Sequence, residues 1–110
     1  MIRITFEKYK VELVFTQYEN GNTAILFVGA KGTPYQGEPI CKATVNGYTT
    51  LNDPDICGFK SWNEGPSVIE TLVKHHIIEP APIFQEPAGF GFIEYHELTP
   101  LGKDLRASRG

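Results

Sequence analysis

The stretch Trp62–Pro80, WNEGPSVIETLVKHHIIEP, is the only segment of this chain with a clean helical pattern, and the rest of the sequence is interpreted around it. Asn63 is suited to cap a helix, and Glu64 would lie at the positive end of the helix dipole. Proline at position 80 prevents the helix from continuing. Apolar or half-apolar side chains recur at a period of 3.6 residues: Val68, Ile69, Leu72, Val73 and His76. The pattern predicts one main α-helix over about residues 64–76.

Sequence typical of β-strands lies before this helix. Apolar and polar residues alternate from Ile2 to Phe15, and the alternation changes phase at Glu7–Lys8, which predicts a turn or a bulge there. Asn20 followed by Gly21 between two apolar runs predicts a hairpin. Three further strands are expected, at residues 23–28, 40–46 and 56–60, and a last one at about residues 90–95.

Because one amphipathic helix needs a sheet to cover it, the sequence predicts an α+β fold. We expect an antiparallel sheet of about four to six strands packed by the one main helix, in a single domain over residues 1–100. Residues 101–110 are polar and are predicted to form a frayed tail.

Composition restricts the class of protein. The chain has 110 residues, enough for a modest core, and no apolar run of membrane-spanning length. Its start lacks the apolar region of a signal peptide, so we expect a soluble, cytoplasmic protein with no membrane partner. Cys41 and Cys57 form no paired motif and are predicted to be reduced and structural.

The charge is distributed unevenly along the chain. Residues 51–100 carry two lysines against eight aspartates and glutamates, within a net charge of −3 for the whole chain. An acidic body makes direct nucleic-acid binding unlikely, because phosphate contacts need a basic surface. It suits a protein partner with a basic, nucleic-acid-binding surface, and the alternative is an acidic surface that only aids solubility.

Residue clusters that could carry chemistry are better explained by structure. His75 and His76 are adjacent and would point about 100° apart on a helix, so they cannot bind one metal as a pair four residues apart can. Asp53 and Asp55 flank a proline as in a turn, and Glu94 and Glu97 lack a recognisable pocket. We therefore predict no catalytic site, no metal site and no cofactor, and a protein that is not an enzyme.

The C-terminal segment EYHELTPLGKDL resembles the end of a winged-helix transcription factor. The matching residues are Tyr95, Leu98, Thr99, Pro100, Gly102 and Leu105. The resemblance implies a DNA-binding regulator in which residues 81–97 form the wing. That segment has no Lys or Arg, and strand-like sequence replaces the two helices that should come first.

Residues 11–80 resemble a family of short, uncharacterised proteins carried by bacterial plasmids, phages and conjugative elements. The motifs that carry the resemblance are FTQYENGNTAI (Phe15–Ile25), GEPI (Gly37–Ile40), ATVN (Ala43–Asn46), NEG (Asn63–Gly65) and IIEP (Ile77–Pro80). His76 stands where the family pattern has glycine at the helix end. The resemblance implies the fold and a mobile-element origin, and it brings no catalytic residues.

The predicted function is a non-enzymatic, protein-binding accessory factor of a mobile genetic element. A specific form of it is an inhibitor of a host defence system that acts through an acidic surface. The alternative is a winged-helix-like DNA-binding regulator, and an exposed sheet edge also suits a homodimer. The predicted partner-contact residues are Trp62, Glu64, Phe90, Glu94 and Tyr95, with core packing as the alternative role of the three aromatic residues.

Overall fold

The computed structural model describes residues 3–47, 49–89 and 91–108, and the predicted contact residue Phe90 lies outside these ranges. The strands are β1 (Arg3–Phe6), β2 (Tyr9–Gln17), β3 (Thr23–Gly29), β4 (Pro39–Lys42), β5 (Ile56–Lys60), β6 (Phe84–Ala88) and β7 (Gly91–Glu97), and the helices are α1 (Gly65–Lys74) and α2 (Pro100–Ala107). Neither helix is long and apolar enough to cross a membrane.

The strands form two antiparallel sheets, so the α+β class is confirmed and the single predicted sheet is wrong. The first sheet has the order β1-β2-β3-β4 and the second has the order β5-β7-β6. The predicted turn at Glu7–Lys8 joins β1 to β2, with Glu7 at a φ of 54°. The predicted Asn-Gly hairpin joins β2 to β3 and begins after the pair Gln17 and Thr23.

A short segment after β4 divides the sheets. The amide of Ala43 still donates to the carbonyl of Ile25 on β3 at 2.9 Å, but the amide of Val45 donates to the carbonyl of Gly58 on β5 at 2.9 Å. The strand predicted over residues 40–46 therefore ends at Lys42, because the chain changes pairing partner. The second sheet starts from that new contact.

Helix α1 contributes its apolar side to a core that it shares with strands of both sheets. Val68 and Leu72 are fully buried in one cluster with Phe6, Phe27 and Phe59. The amphipathic period explains this, since residues four apart lie on one side of a helix. The helix contacts β1 and β5 directly.

The predicted cap at the start of α1 is wrong by one residue. Glu64 occupies the N-cap position and makes no side-chain cap bond, whereas Asn63 has a φ of 55°. The carboxylate of Glu64 forms an ion pair with Lys60 at 2.6 Å instead. Gly65 follows because a Cβ at this position would overlap the carbonyl of Lys60.

The last turn of α1 ends in a Schellman motif. The amide of Ile77 donates to the carbonyl of Leu72 at 2.8 Å, and the amide of His76 donates to that of Val73 at 3.0 Å. Ile77 and Leu72 are both fully buried, which supplies the apolar contact that accompanies this motif. His76 has a φ of 61°, a conformation that favours glycine.

The tail that was predicted to be frayed is helical up to Ala107. Thr99 caps α2, because its Oγ1 accepts a bond from the amide of Gly102 at 3.0 Å. The same hydroxyl donates to the carbonyl of His76. A Cβ at Gly102 would overlap the carbonyl of Ile77, so α2 packs directly on the end of α1.

Replacing His76 with glycine should stabilise the fold. A left-handed conformation costs a residue with a side chain about 1–2 kcal/mol, and the greater entropy of glycine in the unfolded chain offsets part of that gain. We expect the free energy of unfolding, measured in urea, to rise by about 0.5–1 kcal/mol.

The matched control is His75→Gly. His75 has a φ of −92°, so the substitution relieves no strain there and should destabilise. If both variants lose stability equally, the left-handed position of His76 is not the cause.

Candidate interaction surfaces

The five predicted contact residues do not form one patch in the part of the chain that the structure describes. Trp62 is half-buried, and a Cβ at Gly91 would lie 3.6 Å from its Cε3 atom. Glu64 lies at the start of α1, and Glu94 and Tyr95 are neighbours on β7 whose side chains point to opposite faces of the second sheet. The two faces therefore have to be considered separately.

The face that carries Tyr95 is covered around this residue. Only 1% of Tyr95 is exposed, its hydroxyl donates to Oε1 of Glu86 at 2.9 Å, and the ring of Phe84 stacks on it at 4.4 Å. Thr49 donates to the same Glu86 oxygen at 2.7 Å, which brings Thr49 over this face. The burial of Tyr95 favours core packing over partner contact.

This environment alters the acidity of the Tyr95 phenol. Burial, followed by the hydrogen bond to Glu86 and its negative charge, raises the pKa of Tyr95 from 10.0 to about 12. Gly47 is required for the arrangement, because a Cβ at that position would overlap the Tyr95 hydroxyl and the Glu86 carboxylate.

The opposite face, which we call the Glu94 face, consists of Gln85, Pro87, Phe92 and Glu94. Gln85 pairs with Glu94 and Pro87 pairs with Phe92, so the four side chains share one side of the β6–β7 hairpin. On the β5 side of the same sheet face, Cys57, Phe59 and His96 are buried. The core therefore covers this sheet face near β5 and leaves it open towards β6.

The buried side chain of His96 contacts the carboxylate of Glu94. It is 1% exposed, its Nδ1 lies 2.9 Å from the carbonyl oxygen of Glu79, and its Nε2 lies 3.3 Å from Oε1 of Glu94. Which ring nitrogen donates depends on the tautomer, and the Nε2 contact places the ring against the Glu94 carboxylate. The ring also packs edge-on against Phe59 at 5.7 Å, which limits its movement.

Large apolar side chains are exposed mainly around this hairpin. Among the described residues, Ile83, Phe84, Phe92 and Leu101 are 49%, 38%, 48% and 39% exposed. Three of the four lie between residues 83 and 92. The register places Phe84 on the Tyr95 side and Phe92 on the Glu94 face.

A cleft of about 330 Å³ lies between the edge of the first sheet and the start of α1. Its wall includes Cys41, Lys60 and Glu64. Burial, and then the nearby Glu64 carboxylate, raises the pKa of the Cys41 thiol, so this cysteine is not an activated nucleophile. Burial raises the pKa of Cys57 to about 12, and both cysteines are free.

Helix α2 compensates part of the predicted acidic surface. Arg106 pairs with Asp55 at 2.9 Å, and Lys103 pairs with Glu97 at 3.1 Å. The Lys60–Glu64 pair neutralises a third acid of residues 51–100 in the part of the chain that the structure describes. No three His, Cys, Asp or Glu side chains in the described ranges lie close enough together to hold a metal ion.

Comparison with known proteins adds no assignment: no family model matches the chain, and no curated protein and no solved structure is significantly similar to it. Function is therefore inferred from the geometry of these surfaces.

The acidity of Tyr95 is open to a direct test. In an alkaline absorbance titration, the transition that disappears in Tyr95→Phe should have its midpoint near pH 12. Glu86→Gln keeps the polar contact but removes the charge, so it should lower that midpoint.

The same shift should appear in stability. The pKa of Tyr95 is higher in the folded chain than in the unfolded chain, so its neutral phenol contributes fully to the free energy of unfolding below about pH 10. This contribution is lost as the pH rises through 12. Between pH 9 and pH 11, the free energy of unfolding measured in urea should fall more for the native chain than for Tyr95→Phe. Equal losses would mean that Tyr95 is not held in its neutral form.

Proposed function

We propose that this chain is a non-enzymatic protein-binding module and that the Glu94 face is its partner-contact surface. The observation that supports the proposal is Phe92, which is 48% exposed on this face beside its cross-strand partner Pro87, while exposed Ile83 and Phe84 extend the apolar surface around the same hairpin, Phe84 on its Tyr95 side. Grouped exposed apolar residues with a polar border are typical of interaction sites, whereas single ones are ordinary surface. Gln85 and Glu94 supply the polar border here.

The arrangement of the second sheet supports the choice of face. On the Tyr95 side, Gly47 and Thr49 lie against Tyr95 and Glu86. Phe92 is 48% exposed on the central strand, where β5 and β6 both support the backbone. A large aromatic side chain on a rigid element is suited to anchor a partner at little cost in conformational entropy.

The apolar face supports the proposal better than the acidic surface does. Asp55 and Glu97 pair with cations of α2, which reduces the negative field available to a basic partner. We keep the accessory role in a mobile element, including inhibition of a host system, as the setting in which such binding would operate. That setting is supported by the family resemblance of residues 11–80.

A DNA-binding regulator is the second candidate. The order β5, α1, hairpin and α2, with Thr99 capping the last helix, agrees with the winged-helix resemblance of the C-terminal segment. The hairpin that would serve as the wing carries Glu86 and Glu94 and no Lys or Arg. Phosphate contacts need bases, so this candidate has less support.

Affinity capture from a bacterial lysate with three forms of the protein tests the proposal. We expect a stoichiometric protein partner to bind the native chain and Leu101→Ser, and to bind Phe92→Ser at least about tenfold more weakly, the loss that about 1.4 kcal/mol produces. Leu101 is the matched control, since it is similarly exposed on α2. Thermal unfolding of each variant establishes that it is folded.

Two results would contradict the proposal. Equal capture by the native chain and by folded Phe92→Ser would exclude the Glu94 face. Binding to duplex DNA in a gel shift would favour the DNA-binding candidate instead, if the affinity falls about 10³-fold or more between 50 and 200 mM salt. Several phosphate contacts produce a loss of that size.

A further inference from the structure

We infer that Glu94 is a cation-recognition point on its face and that the partner segment presents a Lys or Arg side chain beside apolar residues. This inference rests on the proposed function, because it names the chemistry of the partner that the Glu94 face would bind. It goes further by committing to one charged contact and to docking on the sheet face.

The carboxylate of Glu94 is held in place and is still available. His96, itself 1% exposed, contacts Oε1, whereas Oε2 has no hydrogen-bond partner among the described residues. The side chain of Glu94 is 25% exposed, so a partner can reach it. A fixed carboxylate loses less conformational entropy on binding than a freely rotating one.

The charge around the hairpin is complementary to a cation. Residues 79–97 contain four glutamates and no Lys or Arg. Glu97 is paired with Lys103, whereas no Lys or Arg in the described part of the chain pairs with Glu94, which contacts His96. A Lys or Arg brought between the partner's apolar side chains would therefore meet a carboxylate at the border of an apolar surface, where water screens the pair less.

The apolar neighbours of Glu94 define the rest of the partner segment. Pro87 and Phe92 form one cross-strand pair, and Gln85 and Glu94 form the next. Phe92 and Glu94 are thus adjacent on this face, two residues apart on β7, and a partner side chain that contacts Phe92 lies next to the carboxylate. This spacing suits a cationic residue next to an apolar or aromatic one.

Docking on the face is favoured over addition of a strand to β6. The amide and carbonyl of Phe92 point to Ser61 on the β5 side, so the backbone of its partner Pro87 faces the open edge of β6. Proline has no amide hydrogen to offer a new strand there. Gln85 still offers an amide hydrogen on that edge, but one donor is too few for stable pairing with an added strand.

The test is a selection of displayed random 12-residue peptides on the immobilised full-length protein. Peptides that depend on Phe92 are identified by loss of binding to Phe92→Ser and are then synthesised. We expect them to be enriched in Lys or Arg adjacent to apolar residues and to bind Glu94→Gln at least tenfold more weakly. Glu70→Gln, an exposed carboxylate on α1, is the matched control and should bind normally.

A double-mutant cycle isolates the contact. Replacing the cation of a selected peptide with norleucine should weaken its binding to the native chain tenfold or more, and should weaken its binding to Glu94→Gln much less. Equal effects of norleucine on both proteins would overturn the inference.

The outcomes separate the inference from the proposed function. Peptides that need Phe92 but contain no enriched cation and tolerate Glu94→Gln would overturn the inference and leave the proposed function standing. A selection that yields no peptide dependent on Phe92 would overturn both.

Discussion

The backbone hydrogen bonds of residues 43–45 are the contact on which the rest of the structure depends. Ala43 belongs to the first sheet through Ile25, and Val45 belongs to the second through Gly58. Two bonds made two residues apart thus join a four-stranded sheet to a three-stranded one. The junction is tight, because a Cβ at Gly58 would lie 3.1 Å from the carbonyl oxygen of Val45.

This junction determines which surface is open. After Val45, Gly47 and Thr49 lie over one face of the second sheet, where Glu86 accepts hydrogen bonds from Thr49 and Tyr95. The other face is covered only where it meets the core. The partner-contact surface that we propose is therefore the part of the opposite sheet face that the core does not reach.

Helix α2 has a structural and an electrostatic consequence. Thr99 and Gly102 fix it against the end of α1, where Ile77 is buried. This position brings Lys103 and Arg106 to acids that the sequence alone presents as an unpaired run. Exposed pairs of this kind add little stability, typically below about 1 kcal/mol each, but they change the field that a partner meets.

Local patterns in the sequence predicted much of the fold. The period of 3.6 residues located α1 to within two residues at its C-terminal end, and the phase change at Glu7 located the first turn. Strand β6 was missed because its sequence, FQEPA, is polar and contains proline, as an edge strand often is. Helix α2 was missed although Thr99 followed by proline is a helix-start signal.

Non-local features were not predictable from one sequence. The division into two sheets depends on Val45 forming its backbone hydrogen bond with β5 and not with β3, and no local pattern in the sequence predicts that pairing. The alternation on β7 indicates that Glu94 and Tyr95 point to opposite faces but not which face the chain covers. The burial of Tyr95 and the exposure of Phe92 are therefore visible only in the structure.

Amide hydrogen exchange, followed residue by residue in the native protein, measures whether residues 43–45 hold the two sheets together. We expect the amides of Ala43 and Val45 to exchange only on global unfolding, because they join the two sheets. We expect the amide of Gln85, which faces the open edge of β6, to exchange orders of magnitude faster. If Val45 exchanges as fast as Gln85, residues 43–45 do not hold the sheets together, and the assignment of one closed and one open face is contradicted.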